Sequence, residues 1–143
     1  MSVVWTNELR ASVCRHSERG YPDEVCGLLI GVQEGDEKVV REVVPVENAW
    51  EQVDERRRRF RIGPEVIAQE ERRGREAGLS IVGFYHSHPD SEPRPSETDR
   101  EFAWPTYAYL IQGVYKGIAL DVKGWVLKDD RSGYNEEQLI ERG

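Results

Sequence analysis

The histidines His86 and His88 stand two positions apart at the end of the apolar stretch LSIVGFY. Alternate side chains of a β-strand point to the same face, so the two imidazoles would lie roughly 6.6 Å apart along the strand. Zinc sites commonly combine histidine nitrogens with a carboxylate. Asp99, at the start of a predicted helix, is the candidate carboxylate. The spacing of these three residues indicates a metal site.

The same stretch also has a simpler interpretation. A His-x-His pair alone is weak support for a metal site, and Ser96-x-x-Asp99 alone is the capping box of a helix. Ser87 points to the opposite face of the strand from the histidines and is expected to be structural. The occurrence of all these features at the end of one apolar strand favours the metal site.

Three protein ligands would leave a fourth position for water, as in catalytic rather than structural zinc sites. Zinc brings the pKa of such a water near 7, and a general base must then accept its proton. Asp90, Glu92 and Glu97 follow the histidines closely, but their spacing does not select one of them. The residues alone therefore predict a zinc-activated water without assigning the base.

These side chains are predicted to project from a mixed sheet flanked by helices. The stretch 79–88 has few polar positions, which indicates a central strand buried on both faces. Residues 1–128 are predicted to form one α/β domain, and residues 129–143 a tail that forms a short helix or frays. Predicted helices span 6–19, 64–77 and 96–103, and predicted strands span 24–32, 38–47, 79–88, 106–115 and 117–128.

The composition limits the classes of function. With 143 residues, 38% hydrophobic and 33% charged, the chain is expected to be a single soluble domain. It shows no bilayer-length apolar run and no secretory signal, so a cytoplasmic location without a membrane is expected. Cys14 and Cys26 form no C-x-x-C pair and are expected to be small buried side chains. The net charge of −7 argues against general nucleic-acid binding.

The run from His86 to Asp99 resembles the signature of the JAMM (MPN+) zinc metallopeptidases, H-[ST]-H-P-x6-S-x-x-D, with its spacing intact. Glu24 in EVCGLLIG occupies the place of that family's upstream glutamate. The resemblance extends from Glu24 to about Lys128. It implies a JAB/MPN-like α/β fold, with a curved, mixed and largely antiparallel sheet flanked by helices.

The resemblance also implies a role for each matching residue. His86, His88 and Asp99 would bind one zinc ion per chain. Glu24 would hold the catalytic water, act as general base and pass the proton to the leaving amine. Ser96 would donate a hydrogen bond to the oxyanion of the tetrahedral intermediate, in addition to capping its helix.

All five positions of the signature are filled, which disfavours the non-catalytic scaffold members of the family. The chain has no room for the insertions of the eukaryotic enzymes that cleave ubiquitin chains. It resembles the compact bacterial branch, so the expected reaction is hydrolysis of the amide bond after the Gly-Gly end of a ubiquitin-like sulfur-carrier protein. The alternatives are a RadC-like, DNA-associated role, which the acidic charge disfavours, and a module that binds a carrier protein without cutting it.

The run Arg56–Arg59 is typical of a solvated loop. Its alternative role is a docking patch for an acidic carrier protein, because complementary charge accelerates encounter and makes it sensitive to salt.

Overall fold

The computed structural model describes residues 1–143, which form seven strands, three helices and one 3₁₀ turn. The strands are β1 (Ser2–Trp5), β2 (Cys26–Glu34), β3 (Glu37–Val46), β4 (Ser80–Pro89), β5 (Ala108–Tyr115), β6 (Ile118–Leu127) and β7 (Tyr134–Glu141). The helices are α1 (Asn7–Gly20), α2 (Pro64–Glu76) and α3 (Glu97–Phe102), and the 3₁₀ turn is Val53–Glu55. All the predicted helices and strands are present, with bounds that differ by a few residues.

The strands form a closed barrel in the order β1-β3-β2-β4-β5-β6-β7, and β1 completes the circle by pairing with β7. The β1–β3, β1–β7 and β4–β5 pairs are parallel, and the other four pairs are antiparallel. The prediction of a mixed, largely antiparallel sheet is therefore confirmed. The sheet curves so far that it closes into a barrel.

The helices cover the sheet and follow local capping rules. Thr6 caps α1 through its Oγ1, which accepts a hydrogen bond from the Leu9 backbone N–H at 3.1 Å. Pro64 occupies the first turn of α2, where its missing N–H leaves no hydrogen bond unmade. Helix α1 packs on β3, β4, β5 and β6, whereas α2 packs on β2 and β4. None of the three helices has the length and apolar character needed to cross a membrane.

Strand β4 separates the core from the predicted site. Tyr85 is fully buried in the main hydrophobic core, with Val13 of α1 and Leu29 of β2. His86, the next residue, points to the opposite face of the strand. The register places His86 beside Cys26 of β2 on one side and beside Ile111 of β5 on the other. The prediction that this strand is central is confirmed.

The prediction for residues 129–143 is wrong. Residues Tyr134–Glu141 form β7, which pairs with β6 and with β1 and so belongs to the domain. Glu137 of β7 is 2% exposed and accepts from the Lys38 ammonium of β3 at 3.0 Å. From the local sequence, a glutamate is expected to lie at the surface. The lysine whose charge makes the burial of Glu137 possible is remote in sequence, so no local pattern indicates it.

Strand β1 was also missed, because four residues give too short a pattern to indicate a strand. The two cysteines match expectation in part. Both are free thiols, with Cys26 buried and Cys14 half-buried.

Candidate metal centre

The end of β4 carries both histidines into one buried cluster. His86 is 1% exposed and His88 is 7% exposed. Their Nε2 atoms lie 3.2 Å apart, and the Oδ2 atom of Asp99 lies 3.2 Å from the first and 3.1 Å from the second. Together with Glu24, they offer four ligand atoms that all lie within 4.8 Å of one another. The structure therefore brings the three predicted ligands and the predicted base to one place.

Glu24 enters the cluster from the segment just before β2. Its backbone N–H donates to the Arg56 carbonyl at 2.6 Å, and its carbonyl accepts from the Asn48 side-chain amide at 3.0 Å. The residue is 5% exposed, and its Oε1 atom has no hydrogen-bond partner in the protein. A buried carboxylate oxygen without a partner is costly unless a ligand completes it.

Ser87 holds the chain beside Glu24 in place. The Ser87 backbone N–H donates to the Val25 carbonyl at 3.0 Å. The Val25 N–H donates in return to the Ser87 hydroxyl at 2.9 Å, where a regular antiparallel pair would use a backbone carbonyl. This side-chain bond is buried and ties β4 to the residue that follows Glu24. Ser87 thus has the structural role expected for it.

Ser96 and Asp99 form the predicted capping box of α3. The Ser96 Oγ accepts from the Asp99 N–H at 3.0 Å, and the Asp99 Oδ2 accepts from the Ser96 N–H at 2.9 Å. The box points the Asp99 carboxylate toward the histidines. Ser96 is exposed and uses its oxygen as the acceptor, so its hydroxyl hydrogen is available to a bound molecule.

Burial and neighbouring charges shift the pKa values of residues in the cluster. Burial, and then the Asp99 carboxylate, raise the pKa of Glu24 to about 9, while Arg59 acts in the opposite direction. Burial alone would raise the pKa of Asp99 too, but the two histidines in their protonated form hold it well below its usual range through their charges and hydrogen bonds. Burial lowers the pKa of His86, which favours the neutral imidazole that binds metals. A bound cation would lower the pKa of Glu24 in turn.

The donor set fits a divalent cation. The Nδ1 atom of His88 lies 2.9 Å from the Glu92 carbonyl and donates to it, which leaves the Nε2 lone pair directed at the cluster. Two imidazole nitrogens and one aspartate oxygen are the three-ligand set of an open zinc site, and the unpartnered Glu24 oxygen lies beside them. His86, His88 and Asp99 could therefore hold a metal ion, with Glu24 next to it.

An apolar cavity of about 330 Å³ adjoins the cluster, and His86 and Asp99 form part of its wall. Phe60 stacks on the His86 ring, with centroids 4.4 Å apart and planes 24° apart. We did not predict a role for Phe60 or for the other aromatic residues of this wall. The available signal was the presence of large aromatic residues, Trp50 and Phe102 among them, in otherwise polar segments.

The family profile described as prokaryotic homologs of the JAB domain matches residues 6–127. This chain belongs to the JAB family. Among its JAB relatives, a desampylase from Haloferax volcanii is 41% identical over 109 residues, which cover 73% of this chain and 75% of the relative. A CysO-cysteine peptidase from Mycobacterium tuberculosis is 32% identical over 110 residues, which cover 76% and 70% of the two chains.

Two solved structures share the JAB architecture. A protein from Desulfitobacterium hafniense, solved in solution, aligns with a TM-score of 0.83 at 29% identity over 98% of this chain and 92% of its own. A JAB1/MPN domain protein from Archaeoglobus fulgidus aligns with a TM-score of 0.55 at 21% identity over 99% of this chain and 100% of its own. The predicted JAB/MPN-like fold is confirmed.

The arginine run of this JAB chain divides into two pairs. Arg56 Nε donates to the Trp50 carbonyl at 2.8 Å, and Arg59 Nη1 donates to the Thr98 hydroxyl at 2.8 Å, so these two hold the loop against the site. Arg57 and Arg58 are exposed, and their guanidinium groups make no hydrogen bond or ion pair. Only the second pair is free to meet a partner.

Proposed function

We propose that this chain is a zinc-dependent metallopeptidase or isopeptidase that hydrolyses the amide bond after the C-terminal Gly-Gly of a ubiquitin-like sulfur-carrier protein or its adduct. The observation that carries this proposal is the convergence of Glu24, His86, His88 and Asp99 within 4.8 Å. The proposal includes about one zinc ion per chain, held by the two histidines and Asp99. It also places the enzyme in the cytoplasm, where free thiols such as those of Cys14 and Cys26 stay reduced.

The bound zinc would supply a Lewis acid that lowers the pKa of a water and polarises the scissile carbonyl. Glu24 takes a proton from this water as the water oxygen bonds to the carbonyl carbon. The Ser96 hydroxyl donates its unused hydrogen to the carbonyl oxygen as negative charge develops there. When the carbon–nitrogen bond breaks, Glu24 returns its proton to the leaving amine, so the carboxylate is regenerated.

The substrate class is supported by the relatives and by the shape of the site. One relative is named a CysO-cysteine peptidase and the other a desampylase. Both histidines are buried, so a peptide bond that reaches them is closely surrounded by protein. A Gly-Gly end carries no side chains that would collide with these surroundings, which favours a carrier protein that ends in two glycines.

The first test is metal content. The purified chain, reconstituted with zinc and freed of excess metal, is expected to retain about one zinc ion, measured by mass spectrometry of the metal. His86→Ala and His88→Ala are each expected to lose it. The control is His16→Ala, because His16 is the remaining histidine and contacts the Tyr85 hydroxyl on the other face of β4. Full zinc content in both site variants would place the metal elsewhere.

The second test is turnover of a carrier protein fused to a short peptide after its Gly-Gly end. Cleavage directly after the last glycine is expected, and replacing that glycine with valine should lower kcat/KM at least about tenfold. Binding of the carrier without cleavage by the zinc-loaded chain would instead indicate a non-catalytic binding module. Retardation of DNA in a gel at low salt, without cleavage, would indicate the RadC-like alternative.

A further inference from the structure

The apolar cavity beside the metal cluster has no role in the reaction described so far. It is partly open to solvent and measures about 330 Å³, within the range of roughly 300–1,000 Å³ that small-molecule sites occupy. Protein interiors are otherwise filled by side chains at close to crystalline density. A cavity of this size, with the predicted ligands His86 and Asp99 in its wall, indicates a place for part of a bound molecule.

The wall is mainly hydrophobic. Strands β4 and β5 contribute Phe84 and Ile111, helix α2 contributes Ile67, and Phe60 covers the His86 ring. At the rim, Phe102 is 61% exposed. Exposed aromatic groups around a concave apolar surface are typical of a site where a ligand completes the burial.

We infer that this cavity binds a large apolar side chain on the residue that is released, the first residue after the scissile bond. This inference rests on the proposed function. His86 and Asp99 form part of the cavity wall, so a side chain within it belongs to a residue close to the scissile bond. The glycine before the bond has no side chain to place there. The residue after the bond is the remaining neighbour, and its amine is the leaving group.

Chemistry decides which side chains fit. An aromatic or long aliphatic group gains by transfer from water to a hydrophobic wall, whereas alanine leaves most of the cavity unfilled. A lysine ammonium would lose its hydration against this wall, where the charged guanidinium of Arg59 is also present. The selected released residue is therefore large, apolar and uncharged.

Three carrier–peptide fusions test the inference on the zinc-loaded full chain. They carry Phe, Ala or Lys directly after Gly-Gly and are otherwise identical. The kcat/KM for the Phe fusion is expected to exceed that for Ala and for Lys by about tenfold to a hundredfold. Values within about threefold of one another would overturn the inference and leave the proposed function standing. Absence of cleavage of all three would overturn both.

A variant whose new side chain fills the cavity tests whether the selectivity arises in the cavity. Ile67→Trp is expected to lower the ratio of kcat/KM for Phe over Ala by about tenfold, because the new side chain occupies the cavity. A ratio is insensitive to a general loss of activity or folded protein. The matched control is Ile118→Trp, since Ile118 is 61% exposed and does not line the cavity. An unchanged ratio in Ile67→Trp would show that the selectivity arises elsewhere.

Discussion

Glu24 is the residue on which the proposed chemistry depends most directly. Glu24→Gln keeps the size of the side chain and the three ligands but removes the base. We expect zinc content and Tm to be retained and kcat to fall by about 10²–10⁴. Single-turnover kinetics on a carrier–peptide fusion, with Glu34→Gln on the exposed end of β2 as control, would measure this. A kcat near that of the wild type would assign the base to another carboxylate.

Ser96 combines a structural and a chemical role that one substitution can separate. Ser96→Ala removes the cap of α3 and the proposed donor to the oxyanion. Loss of the cap alone should cost about 1 kcal/mol of stability with little change in kcat. Loss of the oxyanion contact should lower kcat by about 10²-fold with zinc retained. We expect both effects, measured by thermal unfolding and kinetics, and neither in the exposed control Ser91→Ala.

At the scale of single residues, the sequence predicts the positions of those site residues that belong to one local motif. The spacing of His86, His88 and Asp99 follows from one strand and one capped helix, so their proximity could be predicted. The position of Glu24 could not, since it depends on the pairing of β2 with β4, and only the family resemblance indicated it. Phe60 lies in an irregular segment whose path over His86 follows no periodic pattern.

At the scale of elements, the hydrogen bond between Ser87 and Val25 joins strand β4 to the residue just before β2, close to the site. In Ser87→Ala the Val25 N–H loses its buried partner, which should cost about 1–3 kcal/mol of stability. Because Val25 directly follows Glu24, kcat should also fall while zinc is retained.

Two further variants distinguish positioning from packing. Ser87→Thr keeps the hydroxyl, so it should restore kcat and most of the stability lost in the alanine variant. Ser80→Ala, at the exposed start of the same strand, should change neither quantity. Equal kcat in the Ser87 alanine and wild-type proteins would show that Glu24 is held by its other contacts.

Most of the helices and strands could be predicted because each has its own local sequence pattern. Thr6 and Ser96 mark helix starts through capping, and Pro64 marks another through its position. Strand β7 carried no such signal. Its buried Glu137 is balanced by Lys38 on β3, across β1, and a pairing between remote segments is invisible to any local pattern.

At the scale of the whole molecule, Arg57 and Arg58 test whether charge guides the substrate. Replacing both with serine should raise KM for an acidic carrier protein at low salt and flatten the salt dependence of KM, with kcat little altered. Arg72 and Arg75 on α2 are exposed as well, and their double replacement by serine is the matched control. If the Arg57 and Arg58 double variant has the wild-type KM at low salt, the two residues belong to a solvated loop and do not dock the substrate.

The closure of the barrel through β1 also governs the order in which the fold can form. A ribosome releases β1 early, whereas its neighbour β7 emerges last of all the strands. Until then β1 and β6 each present an unpaired edge, and Lys38 has no Glu137 to neutralise it. The segments that build the metal cluster have by that time already been synthesised. Until β7 has emerged, the nascent chain therefore exposes two strand edges at which it can pair with other chains.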